Sequence, residues 1–129
     1  MKIDERGNSA GLRTYQLLIV LPNDVEVDIG RLGRFVFPGG AYVYTGSAVR
    51  HMDARIRRHQ AQMKPRRWHL DYLTTLSGVS VRELGRYAEP ECAVNQCVMG
   101  EVLVPGFGAS DCRSGCGSHL KYLGAVTPI

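Results

Sequence analysis

At 129 residues with a formal net charge of +4, the chain suits one domain built around one core. An ordinary apolar fraction of 44%, with no repeat or low-complexity tract, excludes solenoid, fibrous and disordered classes. No run of about 18 apolar residues occurs, which excludes a helical membrane span, and MKIDERGNSAGLR at the start has no apolar export segment. A soluble, cytoplasmic protein with no membrane partner is expected.

Residues 1–12 are polar and contain Gly, Asn and Ser, which predicts a flexible lead-in to a single domain over 13–129. TYQLLIVL (14–21) is apolar and β-branched enough for a central strand. Pro22-Asn23-Asp24 reads as a turn, VEVDI as a half-buried strand by its alternation, and RFVF as a further short strand closed by Pro38-Gly39-Gly40. AYVYT (41–45) returns as a strand, paired most simply antiparallel to the first.

A helix is predicted from about Val49 to Met63. At 100° per residue, Val49, Met52, Ile56 and Met63 form its core stripe, with His59 on the border. Arg55 lies on the shoulder next to His59, able to lean over the sheet edge, while Arg50, Arg57 and Arg58 face solvent. Lys64-Pro65 ends this helix, and WHLDYLTTL predicts a second. Trp68 follows Arg66 and Arg67, an arrangement that could stack a splayed base, although a core position is the commoner fate of a lone tryptophan. VSVREL reads as a strand. Pro90, with Glu89 and Glu91 in the same turn, opens a third helix running to about Met99. The glycine-rich tail promises loops and one short strand near HLKYL. These elements make an α+β fold, a small antiparallel sheet flanked by about three helices.

Charge is unevenly spread. From Val49 to Arg67 there are seven cations against Asp53 alone, a surplus of +6, while the rest of the chain sums to −2. Such a surplus suits a polyanion on one face, or simply a solvated helix. Cys112, Cys116 and His119 look at first like metal ligands. Zinc normally takes four donors in two compact pairs, and only one C-x3-C pair is visible, so structural zinc is not expected. Cys92 and Cys97, five apart on a helix, are a poor complement.

Tyr15 on a first strand, Tyr44-Thr45-Gly46 closing a later one, Arg55 and His59 four apart on a helix, and Glu91 opening another helix together resemble a GIY-YIG nuclease. YTGSA, RWHLDYL, GFGASDC and SHLKYL resemble the Uri-type branch, a set of small stand-alone or fused domains. The pattern departs from the family in three places. The first motif reads Arg13-Thr14-Tyr15, an inserted hairpin puts 28 residues between the tyrosines, and Ser47 stands where many relatives carry lysine.

The resemblance implies a divalent-metal-dependent endonuclease, with relatives in repair, recombination and restriction. Glu91 would hold one Mg²⁺ or Mn²⁺, Arg55 would clamp the phosphate, and Tyr15 and Tyr44 would handle the water with His59 beside them. Gly46 would let the substrate backbone approach closely. Ser47, Arg58, Arg66, Arg67 and His69 are further candidates for substrate contact. DNA is expected ahead of RNA. With no separate DNA-reading domain in view, strong sequence specificity would require a homodimer or a partner protein. The alternative is a nucleic-acid-binding module without turnover, held by the basic Val49–Arg67 segment.

Overall fold

The computed structural model describes residues 7, 8, 11–108 and 115–125. Its backbone is an antiparallel sheet of β1 (Thr14–Leu21), β4 (Gly40–Ser47), β5 (Ser80–Tyr87) and β6 (Leu120–Gly124), in the order β5-β1-β4-β6. Between β1 and β4 the chain makes a separate hairpin of β2 (Val25–Ile29) and β3 (Gly33–Phe37), joined by a 3-10 turn. Helices α1 (Met52–Gln60) and α2 (Asp71–Thr74) link β4 to β5, and α3 (Glu91–Gln96) follows β5. The fold is α+β, as the pattern of elements predicts.

Strand period sorts the side chains by face. Register pairs Tyr15 with Gly46, Leu17 with Tyr44 and Ile19 with Tyr42, so these six share one face. Leu17, Ile19 and Tyr42 are buried there together with Met52 and Ile56 of α1, Phe37 of the hairpin, and Phe107. Each such side chain contributes roughly 1.5–3 kcal/mol by leaving water. The opposite face carries Thr45 and Gln16, joined by a hydrogen bond, and Lys121, whose ammonium donates to Asn95 and Val98 carbonyls of α3 and the turn after it.

The helices are shorter than their periodicity suggests, and the reasons are tertiary. α1 begins at Met52 because His51 adopts a left-handed backbone, φ 51°, and cannot extend the helix upstream. Asn8 caps the end instead. Its Oδ1 accepts the Met52 N–H at 2.7 Å and its Nδ2 donates to the Ala48 carbonyl at 2.7 Å. At Asn8, then, the expected flexible lead-in is a buried structural anchor. At the other end Lys64 donates to the carbonyls of Arg58 and His59, and the chain turns extended at Ala61. Val49 and Met63, expected in the core stripe, are therefore outside the helix and exposed, Met63 almost fully. α2 is a single turn preceded by a bend at 68–70, and α3 stops at Gln96, which leaves Met99 in solvent.

Candidate functional site

Gly46 decides how the tyrosines sit. A Cβ at this position would lie 2.5 Å from Tyr15 Cζ and Oη and 2.9 Å from Tyr44 Cε2. The space expected for substrate is filled by the protein's own rings, and glycine is required so that both can lie against the strand. The rings stand 6.3 Å apart, and each contacts the His59 imidazole, at 5.6 and 5.7 Å. Tyr15 Oη and His59 Nε2 share a hydrogen bond of 2.7 Å. Tyr15, Tyr44 and His59, separated by up to 44 residues, thus meet at one point above Gly46.

Arg55 joins them. Its Nη1 donates to the Ser47 carbonyl at 2.7 Å, which pins the guanidinium over the end of β4, and its charge acts on both phenols. Ser47 contributes that carbonyl. Glu91 acts on the same hydroxyls with the opposite sign. Its carboxylate is one-third exposed, 32%, with Oε2 3.4 Å from His119 Nδ1.

Burial sets the protonation states. It raises the Tyr15 hydroxyl well above its usual pKa, with Tyr44 adding to the rise. Tyr44 goes up to about 12, again through burial first, then Glu91, against the opposing pull of Arg55. His59 is pushed down to about 3 by burial, with the Lys64 ammonium helping. At neutral pH both phenols are protonated and the imidazole is neutral, so the Tyr15–His59 contact holds one proton and no net charge. His59 Nδ1 has no hydrogen-bond partner among the described residues.

This state carries a pH signature. An unfolded histidine protonates near pH 6.5, whereas folded His59 resists protonation down to about 3. The stability it permits is complete above its unfolded pKa and falls by about 1.4 kcal/mol per pH unit as pH drops through the interval between them. Urea melts at pH 7, 6, 5 and 4.5 should show a steeper loss for wild type than for His59→Gln. Equal slopes would mean that folded His59 accepts a proton as readily as an unfolded one.

Arg58 does not face solvent. Both its terminal nitrogens bind the fully buried Asp71 carboxylate at 2.9 Å, and Nη2 also reaches the Pro65 carbonyl at 3.0 Å. Asp71 accepts from the N–H groups of Arg67 and Trp68 as well. Burial alone would raise its pKa, but these hydrogen bonds hold it below the usual value. This arrangement removes Arg58 from the free phosphate-binding groups. Trp68 is not a core residue: it is 38% exposed, with the Arg55 and Arg58 guanidiniums 5.0 and 4.3 Å from its ring centre. Arg66 lies over Tyr72 at 5.0 Å and is exposed, as is Arg67. His69 Nδ1 accepts the Gly108 N–H at 2.9 Å and thereby anchors the loop that packs on Tyr44, a structural duty beside its expected substrate contact.

A family model for a domain of unknown function, DUF123, matches residues 14–129. The chain belongs to the DUF123 family. Neither the curated proteins nor the solved structures include a match to it. The family match covers every residue gathered above Gly46 but begins after Asn8, which caps α1 from outside the matched span. No helix among the described residues is long and apolar enough to cross a membrane.

One group in the DUF123 domain escapes sequence reasoning. Cys92, Cys116 and His119 bring their ligand atoms within 4.8 Å of one another. The sequence pairs Cys116 with Cys112, which lies outside the described residues, and sets Cys92 aside. Cys92 nevertheless lies in the first turn of α3 beside the start of β6, with Sγ 3.8 Å from His119 Nε2.

Proposed function

We propose that this DUF123 domain is a divalent-metal-dependent endonuclease that hydrolyses phosphodiester bonds in DNA, selecting by DNA shape and working in the cytoplasm. The observation that carries the reading is the convergence of Tyr15, Tyr44, His59 and Arg55 above Gly46, from two strands and a helix. It gives the resemblance to GIY-YIG nucleases a spatial counterpart.

Phosphodiester hydrolysis needs a positioned water, cancellation of charge growing on the phosphoryl oxygens, and help for the leaving oxygen. Arg55 keeps a permanent charge and a planar fork while one of its nitrogens is held by Ser47, so it can grip a phosphate without losing its own position. Protonated Tyr15 and Tyr44 orient water through donated and accepted hydrogen bonds. With raised pKa values they do not serve as bases on their own. Glu91 fits Mg²⁺ or Mn²⁺: a single accessible carboxylate suffices for an ion that keeps several waters and takes phosphate oxygens. Such an ion supplies charge for the phosphoryl group and the leaving oxygen. The exposed part of Trp68, flanked by cations, offers a stacking surface for an unpaired base.

The test is incubation with single-stranded, duplex and branched DNA in Mg²⁺ or Mn²⁺. Cleavage is expected on at least one substrate, abolished by chelation and by Glu91→Ala while binding is kept. No cleavage on any substrate, with salt-sensitive binding intact, would support the binding-module reading, towards which Ser47 in place of lysine points.

A further inference from the structure

We infer that Cys92, Cys116 and His119 form a zinc site distinct from the Mg²⁺ or Mn²⁺ position, tying the start of α3 to the start of β6. The donor set is two sulfurs and an imidazole, which suits a borderline-soft ion and is wrong for Mg²⁺ or Mn²⁺. In a tetrahedral zinc site, with bonds of about 2.3 Å to sulfur and 2.0 Å to nitrogen, neighbouring ligand atoms stand roughly 3.5–3.8 Å apart. The Cys92 Sγ to His119 Nε2 separation is already 3.8 Å, and no pair in the cluster exceeds 4.8 Å. Less than about 1.5 Å of closure completes the geometry.

The surroundings suit metal ligation. A histidine that binds zinc through Nε2 carries its proton on Nδ1 and usually presents it to a carboxylate, which fixes the ring. His119 is buried with Nδ1 3.4 Å from Glu91 Oε2. Gln96 Nε2 donates to Cys116 Sγ at 3.6 Å, the kind of contact that steadies a thiolate. Cys116 sits between Gly115 at φ 72° and Gly117 at φ 80°, so the loop bends sharply on both sides and turns the thiol towards α3. The ligands come from two segments 27 residues apart in their Cys92–His119 contact, so an ion there cross-links them. It also positions Glu91, next to Cys92, without depending on what Glu91 does. Three protein donors leave the fourth position to water or to a further donor.

The experiment is metal analysis of the full chain purified under reducing conditions, followed by Co²⁺ titration of the metal-stripped protein. About one zinc per chain is expected, with a thiolate-to-cobalt charge-transfer band that saturates at about one equivalent and disappears on adding Zn²⁺. Cys92→Ser and Cys116→Ser should each lower zinc occupancy at least tenfold, while Cys97→Ser, outside the cluster, keeps it. The wild-type cobalt spectrum needs no variant to fold, so it decides the matter even where the serine variants precipitate. A reduced chain with neither zinc nor a cobalt band would overturn the site, as would a metal-free chain two hydrogens lighter through a Cys92–Cys116 disulfide. Neither result depends on DNA cleavage, so the site and the nuclease reading stand or fall separately.

Discussion

Asp71→Ala is expected to destabilise the protein by about 3–5 kcal/mol, the cost typical of removing one partner from a buried ion pair. The fully buried carboxylate holds both terminal nitrogens of Arg58 and two backbone N–H groups, from Arg67 and Trp68. Truncation leaves all of these facing a cavity, and Arg58, only one-quarter exposed, cannot turn fully into water. For a domain of this size the loss corresponds to a melting temperature lower by roughly 10–20 °C. Asp71→Asn keeps an acceptor for the backbone and should lose about half as much. The measurement is thermal and urea unfolding at pH 7. A loss below about 1 kcal/mol for the alanine variant would show that the pair behaves as a solvated surface bridge.

That pair also explains why part of the site could be read from the sequence and part could not. Strand alternation and the order of Tyr15, Tyr44, Arg55, His59 and Glu91 are local signals, and the sheet pairs β1 with β4 as the pattern suggests. What the pattern misses depends on distant groups. Helical periodicity places Arg58 in solvent, because nothing local reveals a buried carboxylate 13 residues later. It extends α1 to Val49 and Met63, because the capping groups are Asn8, 44 residues before Met52, and the Lys64 ammonium beyond the helix end. The resemblance assigns Gly46 to the substrate, because only the folded register shows two tyrosine rings in the space. The cysteine spacing misses the Cys92–Cys116–His119 cluster for the same reason, since Cys92 meets the other two across the α3–β6 junction and not along the sequence.

Arg55→Ala should lower DNA cleavage by about 10²- to 10³-fold, the range for removing one preorganised donor from a developing charge. Two guanidiniums flank Trp68, and the proposed nuclease would use only Arg55 on substrate. Arg58 has both terminal nitrogens committed to the buried Asp71 carboxylate, whereas Arg55 donates to the Ser47 carbonyl and to the Tyr15 hydroxyl and has no carboxylate partner among the described residues. The variants should therefore separate cleanly. Arg55→Ala loses only its hydrogen bonds to Ser47 and Tyr15, about 1–2 kcal/mol together, and loses turnover. Arg58→Ala leaves the buried Asp71 with two backbone N–H groups and the Lys64 ammonium at 4.0 Å, and should lower stability by several kcal/mol, well beyond the Arg55 variant. Arg55→Lys keeps the charge but not the fork, and one ammonium cannot hold Ser47 and a phosphate in the same geometry, so most of the loss should remain. Exposed Arg57, two residues on and so on the far side of the same helix, serves as the control for general charge: its alanine variant should change only the salt-dependent part of DNA affinity. Cleavage retained by Arg55→Ala, or lost equally by Arg57→Ala, would remove the phosphate clamp from the end of β4 and leave the basic segment acting as a diffuse binding face.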